Sequence, residues 1–329
     1  MHSFHKSGRY LTPVLASILL VACGGGSDAP TTGSLPTAVA SAVTVQNAES
    51  LAAQGHAALS NMSDQSDFAP ELLMGVSVSP RNLSLLDASL ALLYRKSEAG
   101  AALVTGSTIT ENCTHGGTAS LTETGNHVSI TAYNCREDSA VMNGTLSFTI
   151  SNMSGTPGRN TNWEAAMALS YQQLSIEVDG IGLRINGDLT LNYKQSNFGQ
   201  TTSAGINGQS LHVRYLENGT TAVNAALQSF NFLLTRNSST YTDSGSFTYM
   251  ADGTKIEAAN YTVTTNTAFR RSGASYPDQG VMTLTATNNS KLILTALSST
   301  NVRLELDLNG DGQIDETINT TWATLASKL

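Results

Sequence analysis

From Thr108 onward the pattern changes to period two, with runs in which polar and apolar residues alternate. That alternation constrains the fold more than any other feature of the chain. The runs Asn126 to Tyr133, Leu146 to Ile150, Leu189 to Tyr193 and Phe247 to Tyr249 alternate apolar and polar side chains. A strand turns successive side chains to opposite faces, so these runs predict antiparallel strands with one face buried and one in water. A shorter pattern recurs on top of the alternation. Gly144 to Phe148, Gly187 to Leu191, Gly245 to Tyr249 and Gly280 to Leu284 all read Gly, any residue, apolar, Ser or Thr, apolar. A strand-like run precedes each of the first three (Val128 to Tyr133, Gly182 to Ile185, Phe230 to Thr235). Asn143-Gly144 and Asn186-Gly187 are strong turn pairs, because both residues tolerate positive φ. The expectation is a series of β-hairpins in a meander. The irregular spacing argues against a solenoid or propeller.

Upstream the period changes. Val45 to Leu59 is Ala-rich and free of Pro, as a helix would be. Asn82 is placed to cap a second helix through Leu83, Leu85, Leu86, Leu90, Leu92, Leu93 and Tyr94, closed by Arg95 and Lys96 at its negative end. The fold class expected is therefore mainly β with a short helical N-terminal region: helices in 45–107 and a large antiparallel domain in 108–329, either a curved sheet or a sandwich. Residues 23–44, rich in Gly, Ser, Pro, Thr and Ala, read as a flexible tether.

Charge narrows the function classes. Charged residues make up 13% of the 329, about half the ~25% of an average soluble domain. The formal net charge is −8 and no Lys/Arg cluster is present, which argues against nucleic acid and against docking on anionic lipid. Aromatics are 6%, too few for the girdles of a transmembrane barrel.

The first 22 residues read as an export signal. His2, His5, Lys6 and Arg9 form a basic start, and Leu11 to Ala22 is almost wholly apolar but too short to span a bilayer. The segment closes on Leu20-Val21-Ala22-Cys23, which resembles the lipobox of bacterial lipoproteins. The resemblance implies cleavage before Cys23, diacylglycerol on its thiol and further acylation of the new N-terminus, giving multi-chain anchoring to a membrane. Gly24 stands where an Asp marks inner-membrane retention in enterobacterial lipoproteins, so the resemblance leans toward the outer membrane. In such an oxidising compartment Cys113 and Cys135 read as one disulfide, in preference to metal ligands or a catalytic thiol.

One motif carries chemistry. Asp307, Asn309, Asp311, Gly312, Gln313 and Asp315 follow the spacing D-x-N-x-D-G-x-x-D. Ca²⁺ takes six to eight oxygens, which alternate side chains and the Gln313 carbonyl could supply. The stretch resembles the calcium loops of EF-hand and dockerin-type modules. The twelfth position, 318, departs from the pattern: it holds Ile318 rather than a bidentate Glu, Glu316 is out of register, and the flanks read as strands. A hairpin turn is the competing reading, since Asn309-Gly310 and Asp311-Gly312 are both turn pairs.

The signatures of a nucleophile elbow, zinc protease, P-loop or dinucleotide fold are missing from the sequence. His56, His115, His127 and His212 have no partner at ligand spacing. The leading expectation is a lipid-anchored envelope protein with a non-enzymatic binding, structural or assembly role toward a protein or envelope ligand. A carrier of a hydrophobic ligand in a concave sheet is the second reading. A carbohydrate-binding or carbohydrate-active protein is the third, with Trp163 and Trp322 as candidate sugar platforms and a pair of carboxylates meeting in space.

Overall fold

The structure, a computed structural model, describes residues 22–23, 34–37, 41–61, 107–137, 140–158, 160–273 and 276–328. The expected helix from Asn82 to Lys96 and most of the signal and tether lie outside these residues.

Fourteen strands, β2 (Ser107–Asn112) to β15 (Glu316–Thr321), form one antiparallel sheet in strict sequence order. It is a single open meander, not a sandwich. A two-residue β1 (Ala22–Cys23) pairs with the end of β4 (His127–Glu137), Cys23 standing opposite Cys135 in the register. The central strands are long: β5 (Ala140–Gly155), β6 (Trp163–Val178) and β7 (Ile181–Ser196) have 16 residues each, and β8 (Thr201–Glu217) and β9 (Thr220–Arg236) have 17. Beyond them come β10 (Tyr241–Asp252), β11 (Ala259–Arg271), β12 (Gln279–Ala286), β13 (Lys291–Ala296) and β14 (Asn301–Asp307), with β3 (Thr118–Thr124) between β2 and β4.

Strands of this length bend, and a line of bulges across the sheet supplies the bend. Register shifts interrupt β4 against β5 between Ala132 and Cys135, β5 against β6 at Asn143/Thr145, β6 against β7 at Tyr171/Leu174, β7 against β8 at Asp188/Thr190, and β9 against β10 at Ser246/Thr248. Gly144 and Gly187 lie on this line. They are mid-strand residues with φ of +94° and +134° that face the bulges, whose extra residues lie on β4, β6 and β8; they are not the hairpin turns expected of Asn143-Gly144 and Asn186-Gly187. Glycine is required there because the neighbouring backbone approaches closely. A Cβ on Gly187 would fall 2.2 Å from the Ser210 carbonyl oxygen, and one on Gly144 at the same distance from that of Gln173. Two-residue hairpins fall instead at Asp179-Gly180 and Asn218-Gly219, with positive φ at both positions of each, and at Gly125-Asn126, with positive φ at Gly125.

Each bulge adds one residue and so re-phases the strand. In β8 the inward row is Ala204 and Ile206, then Leu211, Val213 and Tyr215; in β9 it is Val223, Ala225 and Leu227, then Phe230, Phe232 and Leu234, while His212, Ala222, Asn224 and Ala226 are buried on the other face as well. The parity switches, but one face stays inward. The result is a single apolar cluster running from Val128 to Leu325.

Helix α1 (Ala48–Asn61) lies on this inner face against β10, β13 and β14 and against the C-terminal helix α2 (Trp322–Ala326). Ala48, Leu51, Ala52, Ala53, Ala57, Ala58 and Leu59 are all buried, so the helix is covered on every side. Its small residues permit the close approach: a Cβ on Gly55 would sit 3.2 Å from Leu284. The outer face is a carpet of hydroxyls, with Thr108–Thr122, Thr131–Thr145 and Thr248–Thr262 paired across strands at 3.0, 2.9 and 3.3 Å.

Candidate functional site

The features that carry chemistry gather at one end of the strands, where β1, the chain leading into α1, the disulfide and the Asp307 loop all meet the sheet. We call this the anchor end.

Ser41 to Thr44, read from sequence as the close of a flexible tether, are fastened across the ends of three strands. The Ser41 N–H donates to Thr287 Oγ1 (2.8 Å), Ser41 Oγ accepts from the Asn260 N–H (2.9 Å), and the Val43 N–H donates to Ser290 Oγ (2.7 Å). Thr44 and Asn47 then exchange side-chain bonds and turn the chain into α1. Further upstream, the Thr37 N–H donates to Asp252 Oδ2 (2.7 Å).

Behind that contact is a buried polar chain that no sequence spacing announced. Asp252 Oδ1 accepts from the Asn224 amide (2.9 Å), and Asn224 Oδ1 faces His212 Nε2 at 2.6 Å. Because Asn224 spends its N–H₂ on the carboxylate, its oxygen must accept, which places the imidazole proton on Nε2. Burial holds the His212 pKa below the usual imidazole value, more than the Asn224 bond raises it. The three residues come from β8, β9 and β10, so only the strand register brings them together. The chain ends on a main-chain N–H, and what it does is fasten the leading segment to the sheet.

Cys113 and Cys135 are joined as a disulfide, Cα atoms 5.6 Å apart. The bridge closes a 22-residue span and sits in a satellite cluster with Ala132, Ala119, Ala140 and Met142.

The loop from Asp307 to Asp315 is a set of nested turns held by side chains. Asp307, 2% exposed, accepts the Gly310 N–H on Oδ1 (2.7 Å) and the Gly312 N–H on Oδ2 (2.9 Å). Asn309 Oδ1 accepts from Asp311 N–H (2.9 Å), Asp311 Oδ1 from Gln313 N–H (2.8 Å), and Asp315 Oδ2 from Leu308 N–H (2.7 Å). Lys291 Nζ stands 4.0 Å from Asp307. These bonds satisfy the hairpin on their own, and each carboxylate keeps further lone pairs. Among the described residues, no three His, Cys, Asp or Glu side chains converge as a metal group. Ile318, at the loop's twelfth position, is a half-buried strand residue opposite Leu304.

Other candidates have structural placements. Trp322 is 2% exposed, its indole N–H donating to the carbonyls of Pro277 (3.0 Å) and Ser298 (3.1 Å); Trp163 is 3% exposed against Tyr193. Neither ring is open to a sugar. His127 Nδ1 pairs with Thr149 Oγ1 at 2.9 Å. His56, one of the histidines without a partner at ligand spacing, is wedged between Phe269 and Trp322 with ring centroids 5.1 and 4.4 Å away, and its Nε2 has no hydrogen-bond partner.

Comparison with protein families, curated proteins and solved structures finds no match to this chain.

Proposed function

We propose that the protein is a bacterial lipoprotein: exported, cut before Cys23, acylated there, and held in the cell envelope in a non-enzymatic binding or assembly role. The observation that carries this reading is the N-terminal sequence, a basic start, a short apolar run, Ala22 before Cys23 and Gly24 to Gly26 after it. Two structural features support it. The Cys113–Cys135 bridge suits an oxidising compartment. The segment following the tether is fastened at one end of the strands, so a lipid on Cys23 would hold the molecule by that end. Gly24 favours the outer membrane.

The carrier reading has less support, because α1 and the ring pairs Tyr249–Tyr261 and Phe232–Phe247 occupy the inner face from β9 to β14. The carbohydrate reading loses its two Trp platforms to burial. We also propose, from ligand spacing, that Asp307, Asn309, Asp311, Asp315 and the Gln313 carbonyl bind Ca²⁺ weakly and structurally.

The deciding experiment is fractionation of cells expressing the full chain or Cys23→Ala. The wild type should be recovered in membranes with an acylated N-terminal Cys23, and the variant should lose that acylation. A wild-type chain that is soluble and carries no lipid would overturn the proposal.

A further inference from the structure

The sheet ends in two open edges, and their directions are not arbitrary. Fourteen strands alternate, an even number, so β2 and β15 run in opposite senses. Among the described residues no strand lies against the outer side of either.

The hydrogen-bond phase shows which groups each edge presents. Cys113 N–H donates to the Gly117 carbonyl, so the residues of β2 bonded to β3 are Ser107, Ile109 and Glu111. The main-chain groups of Thr108, Thr110 and Asn112 therefore point outward. Trp322 N–H donates to the Thr300 carbonyl, so β15 bonds β14 through Glu316, Ile318 and Thr320, leaving Thr317, Asn319 and Thr321 outward. Both edges are six residues long, with an Ile on the inner face and Thr or Asn on the outer. Neither carries Pro, Lys or a bulge, and the charge on each is a single Glu on the inner side, Glu111 on β2 and Glu316 on β15. Ile109 ends an inner-face row through Leu121, Ile130, Leu146 and Tyr171; it is 58% exposed, and no strand among the described residues stands beyond it.

We propose that β2 of one copy pairs antiparallel with β15 of a second copy, joining the chains head to tail into one continuous sheet. Strand direction selects this pairing over its alternatives. Setting β15 of a second copy antiparallel to β2 keeps both copies the same way up, with both anchor ends together. An antiparallel β15–β15 pair inverts one copy, which two chains lipid-anchored in one membrane cannot do. That last point rests on the lipoprotein reading; the edge chemistry does not. The pairing brings the inner side of β15, Ile318 and Thr320, against Ile109 and continues the Thr/Asn carpet outside. A head-to-tail contact of this kind grows by addition unless its curvature closes a ring.

The test uses two edge-blocked full-length variants, Thr110→Pro and Asn319→Pro. Each removes an outward N–H and leaves the internal ladder its own donors. Sedimentation in density-matched detergent reads protein mass whether or not the chain is acylated, so loss of the lipid and loss of association are separate results. The wild type should sediment at twice the monomer mass or more. Each variant alone should be monomeric, and an equal mixture should form dimers, because each supplies the edge the other lacks. Thr110→Lys and Asn319→Lys replace either proline variant whose thermal unfolding is not cooperative. A monomeric wild type overturns the proposal. So does a β2-blocked variant that dimerises alone, which would mean β15–β15 pairing, and so does a mixture that stays monomeric.

Discussion

At the scale of single residues, the bulge line makes a sharp distinction between glycines that look alike in sequence. Gly187 and Gly219 both follow Asn and both have positive φ, +134° and +78°. A Cβ at 187 would overlap the Ser210 carbonyl oxygen, whereas one at 219 meets nothing within 4 Å. Gly219→Ala should cost about 1 kcal/mol, the left-handed penalty alone. Gly187→Ala should cost about 3 kcal/mol or more, since the sheet must part to admit the methyl. Denaturant midpoints of the two variants would check the ratio, and equal losses would mean the bend is not held at Gly187. His56 supports a second prediction. Burial, with Arg271 adding to it, pushes its pKa down to about 3, against ~6.5 in an unfolded chain. The folded state thus binds fewer protons between those values. This contribution to stability is complete above pH 6.5 and is lost as pH falls toward 3. His56→Phe, which keeps a ring between Phe269 and Trp322, should flatten the melting temperature across that window. The lowered pKa of His212 would leave a residual slope of the same sign. An unchanged pH profile would show that His56 is not buried neutral.

At the scale of elements, the sequence made some features plain and hid others for physical reasons. Alternation announced the strands because one face is dry along the whole sheet. The Ala-rich segment announced α1 because only small side chains fit so near Leu284. The bulges were hidden, since Asn143-Gly144 and Asn186-Gly187 have the composition of turns, and only the cross-strand register separates a mid-strand bend from a reversal. The His212–Asn224–Asp252 chain was hidden for a related reason: its members are 12 and 28 residues apart and meet through three neighbouring strands. The Asp307 loop was legible as a loop, but its side-chain bonds serve a bare turn and a metal loop alike. Calcium decides between them by linkage, since a ligand that binds the folded form alone raises its stability. Ca²⁺ should raise the thermal midpoint over chelator in the wild type, and Asp311→Ala should abolish the rise while keeping its fold without metal, from a metal-free midpoint lowered by loss of the bond to the Gln313 N–H. No shift at millimolar Ca²⁺ would leave the loop a hairpin turn.

At the scale of the whole molecule, every strand from β2 to β15 pairs with its neighbour in sequence, so the sheet needs no crossover to close it. The N-terminal segment and α1 reach across more than 200 residues to Asn260, Thr287 and Ser290. Stability should therefore be uneven along the sheet. The β10–β14 half has α1, α2 and the fastened leading segment over it. At the other end β2 and β3 have no buried residue of the main cluster, and Cys113–Cys135 is their strongest tie to β4. In the chain-entropy account, a loop of this size is worth about 3 kcal/mol. Because the bridge lies in the satellite cluster, its loss should act locally. Reduction under native conditions should raise amide exchange in β2, β3 and the Cys135 end of β4, while β8 to β14 keep their protection. Exchange that rises equally throughout would mean that the two halves unfold as one cooperative unit, and that the bridge at one edge stabilises the far edge as strongly as its own.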